Sequence, residues 1–244
     1  MTTANDAAAQ RARRRFEPTD LRLQGEGVVE IDTQVGIISG EDGVRRYVPD
    51  FEASLGISSS VELEVDGSFG LGEDGKAQLL DNTLLALRLV IVDVRDAPHS
   101  ADAWAGGVQV GPRLPTALGN RGLGVEAIAI VGRTAGKMHL FFQIGTLLDP
   151  LQAAPGVREA RPFGIESGLD LDLDLDDHDR WSVKGELGGV KFLSPDRSQL
   201  HLTAGPAVHV VPWLELSLVG VLGFLPGGDH YGALLGAATK FSAF

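Results

Sequence analysis

The feature that most constrains this chain is a two-residue alternation of apolar and charged side chains. Between residues 61 and 71 the odd positions carry Val, Leu, Val, Gly, Phe and Leu, and the even positions carry Glu, Glu, Asp, Ser and Gly. Between residues 165 and 175, Ile and Leu alternate with Glu and Asp over most positions. Because successive side chains of a β-strand point to opposite faces, both segments are predicted to be strands with one apolar and one charged face.

The same alternation recurs, less regularly, along the rest of the chain. The further segments are 29–37, 51–57, 84–94, 104–111, 123–132, 138–146, 181–191, 200–210, 214–224 and 231–244. Residues typical of turns separate them, so the chain is predicted to be all-β, a closed antiparallel up-and-down transmembrane β-barrel of about twelve strands. An even count places both chain ends at one end of the barrel, where the predicted connections are short. The longer connections 72–82, 111–123 and 147–163 are predicted at the opposite end.

Aromatic residues fall near the ends of these predicted strands, whereas the strand middles are rich in Leu, Val, Ile, Ala and Gly. Two aromatic belts around an aliphatic band are typical of barrels that cross a membrane, because aromatic rings favour the interface between lipid and water. The predicted belt residues are Tyr47, Phe69, Trp104, Phe142, Phe163, Trp181, Phe192, Trp213, Phe224, Tyr231 and Phe244. Membrane lipid is therefore a predicted partner of the apolar face.

The composition excludes several classes of function. The formal net charge of −12 argues against nucleic acid as a partner. The absence of cysteine excludes disulfides, thiolate metal sites and cysteine nucleophiles. No apolar run reaches the roughly 20 residues that a membrane-spanning helix needs.

If the apolar face contacts lipid, the charged face lines the lumen. The predicted lumen-lining residues are Glu30, Asp32, Asp50, Glu52, Glu62, Glu64, Asp66, Arg88, Glu126, His139, Glu166, Asp170, Asp172, Asp174, Lys184, Glu186, His201, His209 and Glu215. Like charges on neighbouring strands repel, so this lumen must hold water, counter-ions or a basic plug. It is either a path for cations or a hydrated interior without selectivity. The basic residues within 11–15 are a candidate plug.

Three patterns resemble catalytic or metal sites and are weaker than the strand interpretation. The Asp170–Asp172–Asp174 run lacks the glycine and closing glutamate of a calcium loop. Asp172 with Asp174, and Asp176 with His178, resemble carboxylate and Asp-His pairs that activate water, but both pairs share one strand and the turn after it. His99 and Ser100 are adjacent in a predicted turn. We therefore expect no enzyme activity, no catalytic residue, no metal and no cofactor.

Several local patterns resemble one family of membrane barrels. They are the segment from Phe16 to Asp20, the predicted hairpin that runs from Phe51–Leu55 through Ser58–Ser60 into Val61–Glu64, and the terminal Phe244. In these features residues 17–244 are similar to the outer-membrane β-barrel transporters of the phenol meta-cleavage degradation type. The resemblance implies passage of hydrophobic compounds and brings no catalytic residues. Phe244 also resembles the terminal aromatic residue by which outer-membrane assembly machinery recognises its substrates.

These observations lead to one set of expectations. Residues 1–24 are expected to form a polar, basic tail that is disordered, a short helix or a plug, and residues 25–244 the barrel. The expected function is passive passage of a small hydrophobic or cationic solute across the bacterial outer membrane. A non-conducting structural or lipid-binding barrel and a soluble lipocalin-like carrier are the alternatives. Residues 1–24 lack the apolar core of a signal peptide, so either the sequence is a mature form with an added Met1, or its start was assigned too late, or the protein is not exported.

The sequence leaves the register of the last strand open. Counting back from Phe241 by twos gives a more apolar face than counting back from Phe244, and a β-bulge would reconcile the two.

Overall fold

The computed structural model of this 244-residue chain describes most of the sequence. The described residues are 21–40, 45–71, 77–79, 82–95, 102–117, 120–152, 162–177, 180–193, 198–225 and 229–243. Within these ranges no helix is long and apolar enough to cross a membrane.

Twelve long strands form the body of the molecule. They are β1 (Val28–Gly40), β2 (Arg45–Ser58), β3 (Val61–Leu71), β5 (Leu84–Arg95), β6 (Ala103–Arg113), β8 (Gly124–Ala135), β9 (Met138–Leu148), β11 (Phe163–Asp174), β12 (Trp181–Phe192), β13 (Gln199–Val211), β14 (Leu214–Gly223) and β15 (Asp229–Ser242). Three short strands, β4 (Ala77–Leu79), β7 (Asn120–Arg121) and β10 (Leu151–Gln152), lie in the connections between them.

The long strands close into an antiparallel barrel. Each pairs with the long strands that precede and follow it in the chain, and β1 also pairs with β15, from Val28 opposite Ser242 to Gly40 opposite Asp229. Every backbone hydrogen-bonding group along these strands therefore has a neighbouring strand, which is the condition for a β-structure to cross a lipid bilayer. The predicted fold class is confirmed. The end where β1 begins and β15 ends is called the terminal end, and the opposite end the loop end.

Alternation along each strand separates two faces, as the sequence predicted. In β11 the side chain of Leu169 is 44% exposed on the outside, whereas the adjacent Asp170 is fully buried inside. Large apolar side chains are exposed along the outer surface of nearly every strand. A soluble carrier would have the reverse arrangement, with apolar residues inside, so this alternative is wrong.

The predicted aromatic belts need one correction. Phe69, Trp104, Phe142, Phe163, Trp181, Trp213, Phe224 and Tyr231 are exposed on the outer surface. Phe192 is only 5% exposed and packs inside the barrel with Leu147 and Val190. Its even position in β12 puts it on the same face as Lys184 and Glu186, and this parity overrides its place near the strand end. The side chain of Tyr47 and all of Phe244 lie outside the described residues.

The last strand takes the register of Phe241. Phe241, Leu235 and Tyr231 are exposed on the outside, whereas Leu234 is buried inside. Pairing with β1 runs without interruption from Val28 to Ser39, and the single register shift lies at Gly40, at the loop end. No bulge is therefore needed near the end of β15.

Candidate functional site in the barrel interior

The interior surface is dominated by carboxylates. Among the described side chains, two guanidinium groups are buried, those of Arg88 and Arg113. The buried carboxylates are those of Asp32, Asp50, Glu52, Glu62, Glu64, Glu126, Asp149, Glu166, Asp170, Asp172 and Glu186. A medium of low dielectric constant strengthens the interactions of these charges with one another and with any ion that enters.

The predicted lumen residues that are not fully buried also lie on this interior face. They are Glu30, Asp66, His139, Asp174, Lys184, His201, His209 and Glu215, each partly buried at a strand position in phase with the buried carboxylates. The two-residue period alone predicted this inward orientation, because each of these residues lies an even number of positions from a buried residue of the same strand.

Arg88 neutralises the carboxylates of the strand beside it. Its guanidinium donates hydrogen bonds to Glu62 (3.1 Å) and to Glu64 on β3, and its Nε donates to Gln109 Oε1 (3.0 Å) on β6. Register places Arg88 directly opposite both Glu62 and Gln109. The group forms a buried polar network across three strands, which is costly to break because each charge would lose its partner.

Ion pairs on β12–β15 and β1 line the terminal half of the lumen. Lys184 contacts Glu215 (2.5 Å), which His209 also approaches (3.4 Å). Lys240 contacts Glu30 (2.7 Å). Each base thus lies beside a carboxylate of a nearby strand, and the lumen wall carries alternating charge here rather than one sign.

His139 is held between two side chains near the terminal end. Thr134 Oγ1 lies 3.0 Å from His139 Nδ1, and Asp174 Oδ2 lies 3.3 Å from His139 Nε2. The three residues lie on adjacent strands β8, β9 and β11. This arrangement fixes the ring against the lumen wall.

These groups surround a cavity of about 340 Å³ in the terminal half of the barrel. Its lining is polar. The lining residues are Arg22, Gln24, Glu30, Glu52, Ser54, Glu62, Arg88, His139, Asp172, Asp174, Ser182, Lys184, His209, Glu215 and Lys240. The volume suits a small solute or a group of water molecules.

A short segment ahead of β1 lies inside the terminal end of the barrel. Leu21 packs against Ile128, Ile130 and Phe141, which face inward from β8 and β9. Arg22 donates a hydrogen bond to Asp172 (2.8 Å) on β11. Residues 21–24 were predicted to belong to the polar tail, and composition gave no sign that they pack inside the barrel. Residues 1–20, with the basic residues proposed as a plug, lie outside the described residues.

A second buried ion-pair group at the loop end was missed by the sequence analysis. Arg113 contacts Glu126 (2.5 Å) and Asp149 (2.7 Å). Asp149 follows the end of β9 and is fully buried. Asn82 accepts hydrogen bonds from the backbone of Ala117 and from the side chain of Asn120. The even spacing of Glu126 in β8 signalled one member, but Asp149 lies in a connection where alternation gives no information.

The middle of the lumen is filled by side chains. Asp170 and Thr203 have no exposed surface, and Glu166 is almost completely buried. Apolar contacts between Ile38, Val219, Val221 and Leu234 fill the interior along β1, β14 and β15. This agrees with a narrow lumen partly filled by long side chains, as expected for a barrel between the filled eight-stranded and the open sixteen-stranded forms.

The weaker catalytic and metal interpretations gain no support. Asp170 and Asp172 are inward-facing residues of a continuous strand rather than members of a loop. Asp176 accepts a hydrogen bond from the backbone of Arg180 and so shapes the turn. His99, Ser100 and His178 lie outside the described residues. Within the described part of the chain, no group of three His, Asp or Glu side chains is arranged to hold a metal ion.

Comparison with known proteins shows which solved structures share this architecture. No protein-family model matches the chain, and no curated protein matches it in sequence. Among solved structures it is similar to the NanC porin, with a TM-score of 0.63 and 8% identity over 86% of this chain and 98% of that one. It is also similar to the COG4313 outer membrane channel from Pseudomonas putida F1, with a TM-score of 0.62 and 10% identity over 93% of this chain and all of the other.

The chain has the fold of bacterial outer-membrane porins and channels. At such low identity the likeness concerns the fold alone and does not identify a solute. The outer-membrane channel fold places the exposed Leu, Val and aromatic side chains against lipid and the buried carboxylates against the lumen.

Proposed function

We propose that the protein is a passive outer-membrane channel that prefers small cationic solutes. One observation carries the proposal. Among the described residues, eleven carboxylates but only two guanidinium groups are buried inside the barrel. A narrow lumen with an excess of one sign of charge, and with walls of low dielectric constant, concentrates ions of the opposite sign and disfavours those of the same sign. The solute moves down its gradient and no bond is made or broken.

The proposal is tested by measuring ion selectivity in planar bilayers. Under a KCl gradient the refolded protein should give a reversal potential that corresponds to a preference for K⁺ over Cl⁻. Glu52→Gln should reduce this preference, because Glu52 is buried and lines the terminal cavity.

Asp177→Asn is the matched control for Glu52→Gln. It removes the same charge from a side chain that is 87% exposed in a turn at the terminal end. This variant should keep the reversal potential of the unmodified protein. Anion preference, or an equal effect of both substitutions, would contradict the proposal.

The polar interior bears on the type of solute. A hydrophobic compound would have to displace ion pairs and water from the charged wall, which costs free energy, whereas a cation is attracted to it. The resemblance to transporters of the phenol meta-cleavage degradation type remains a prediction. So does recognition of Phe244 by the assembly machinery. Uptake of a radiolabelled phenol against uptake of a small amine, in cells that export the protein, would discriminate between the two solutes.

A non-conducting structural barrel is the second candidate, and the filled middle of the lumen favours it. Asp170 and Thr203 have no exposed surface, so at these positions the side chains pack against their neighbours and leave less space for a solute. Protein that is folded by gel mobility, and that gives no current steps at any voltage or salt concentration, would support this candidate over a channel.

A further inference from the structure

We propose that residues Leu21 to Gln24 are a tethered stopper at the terminal end of the lumen. In this arrangement, the guanidinium of Arg22 occupies a carboxylate site, centred on Asp172, that binds the guanidinium or amine group of the solute. The inference rests on the proposed channel function and deepens it, because it names the chemical group that is recognised and one residue that recognises it.

The segment crosses the lumen rather than following one wall. Arg22 contacts Asp172 on β11, whereas the backbone N–H of Gln24 donates to Glu62 (2.6 Å) on β3 and its side-chain amide donates to Glu30 (3.0 Å) on β1. β3 and β11 lie five strands apart in the ring of twelve, nearly opposite each other. A chain held at both places obstructs the passage between them.

Two cavities meet at this segment. The polar cavity of about 340 Å³ includes Arg22 and Gln24 in its lining. A second cavity of about 290 Å³ is lined by Leu21, Arg22 and Leu23 together with residues of β5, β6, β8 and β9. Because Arg22 lines both cavities, movement of the segment out of the barrel would join them into one wider opening.

Asp172 has the properties of a binding group. Its side chain is 6% exposed, and Arg22 approaches its Oδ2 at 2.8 Å. Its Oδ1 is buried without a hydrogen-bond donor among the described residues. The strand register places Lys184 opposite Asp172, but the Lys184 ammonium is 2.5 Å from Glu215 instead. Among the described residues, Arg22 is therefore the cation that contacts Asp172, and a planar guanidinium suits both of its oxygens.

The contact is of a kind that a solute can displace. The Arg22 side chain is 43% exposed, so a competing cation can reach the pair from the side of the cavity even though the Asp172 side chain is only 6% exposed. Leu21 supplies the apolar part of the anchor by packing against Ile128, Ile130 and Phe141. A free guanidinium at sufficient concentration thus competes with Arg22 for Asp172 while the apolar anchor limits how far the segment moves.

The experiment uses the full chain, refolded and incorporated in planar bilayers, and compares Arg22→Ala, Arg22→Lys and Lys137→Ala. Lys137 is the matched control, since it forms an exposed ion pair with Asp177 in a turn at the same end. Heat-modifiable gel mobility first confirms that each variant is folded. Arg22→Ala should raise single-channel conductance several-fold, Arg22→Lys should restore most of the closure, and Lys137→Ala should behave as the unmodified protein.

L-argininamide is the probe for the carboxylate site. It should reduce the current through Arg22→Ala at a several-fold lower concentration than through the unmodified protein, because the tethered competitor has been removed. The double variant Arg22→Ala with Asp172→Asn should lose this block, and L-glutamate should not block any variant. Arg22→Cys offers a second route, since a thiol reagent that carries a trimethylammonium group should close the channel again in this cysteine-free chain.

The outcomes separate this inference from the proposed function. Cation selectivity with equal conductance in Arg22→Ala and Lys137→Ala would overturn the stopper and leave the cation channel standing. A wider Arg22→Ala channel that argininamide does not block would overturn the solute site. A wider Arg22→Ala channel that prefers anions would overturn the proposed function and confirm only the stopper.

Discussion

At the scale of single residues, the interior combines a strong excess of negative charge with a small number of well-placed bases. Arg88 is the clearest case, because one guanidinium contacts Glu62, Glu64 and Gln109 from two neighbouring strands. Removing one partner of a buried ion pair leaves an uncompensated charge in a medium of low dielectric constant. Arg88 is therefore expected to stabilise the barrel as well as reduce the charge of the lumen.

Arg88→Met tests this expectation. The substitution should lower the free energy of unfolding in urea by about 3–5 kcal/mol, since Glu62 and Glu64 lose their shared cation. Lys137→Met, which breaks the exposed pair with Asp177, should change it by no more than about 1 kcal/mol. If both variants unfold like the unmodified protein, the carboxylates of β3 find other compensation and the network has no structural role.

At the scale of elements, the hairpins set the register that separates the two faces. β8 and β9 are joined by the two residues Gly136 and Lys137, with Ala135 paired to Met138 across the turn. Gly136 has a φ angle of 60°, which is strained for residues with a Cβ atom. Gly132, four residues earlier in β8, lies under the ring of Phe141, where a Cβ atom would be 2.1 Å from Cδ1. The hairpin thus needs glycine once for its turn and once for close packing.

Gly136→Val is expected to destabilise this hairpin. A branched side chain at positive φ should lower the free energy of unfolding by roughly 1–2 kcal/mol and slow refolding, because the turn forms less readily. Lys137→Val keeps the glycine and should have a smaller effect. Urea unfolding of both variants in detergent checks the difference, and equal destabilisation would mean that bulk at the turn matters rather than the φ angle.

At the scale of the whole molecule, an apolar outer surface surrounds a charged interior. This arrangement is stable only if the outer surface contacts lipid, because a water-exposed apolar surface of this extent would aggregate. The closed pairing of β1 with β15 satisfies the backbone groups that no water can reach in the bilayer. The barrel is therefore expected to be stable only when lipid covers its outer surface.

A charged substitution on the outer surface tests whether that surface contacts lipid or water. Leu235 is 59% exposed near the middle of β15, opposite Val35 and Leu218. Leu235→Arg should lower stability in lipid by about 2–4 kcal/mol, whereas Leu123→Arg, at the loop end, should cost about 0–1 kcal/mol. Gel mobility of protein refolded into vesicles in increasing urea gives both values. No difference between the two variants, together with protein that stays monodisperse without detergent, would argue against a membrane barrel.

The sequence by itself determined the strands and their faces. A side-chain period of two is local information, so it identified twelve strands, the inward Asp170 and Asp172 and the outward Leu169 and Leu171. The same period also predicts that Phe192 faces inward, because its even position matches those of Lys184 and Glu186. Its position near a strand end pointed wrongly to the outer belt. Only the tertiary structure decided which charges meet. Arg22 and Asp172 form an ion pair although they are 150 residues apart in the sequence. Arg113 lies in a strand, whereas its partner Asp149 lies in the connection that follows β9. Such contacts depend on the closure and register of the barrel, which the alternation of side chains along a single strand does not predict.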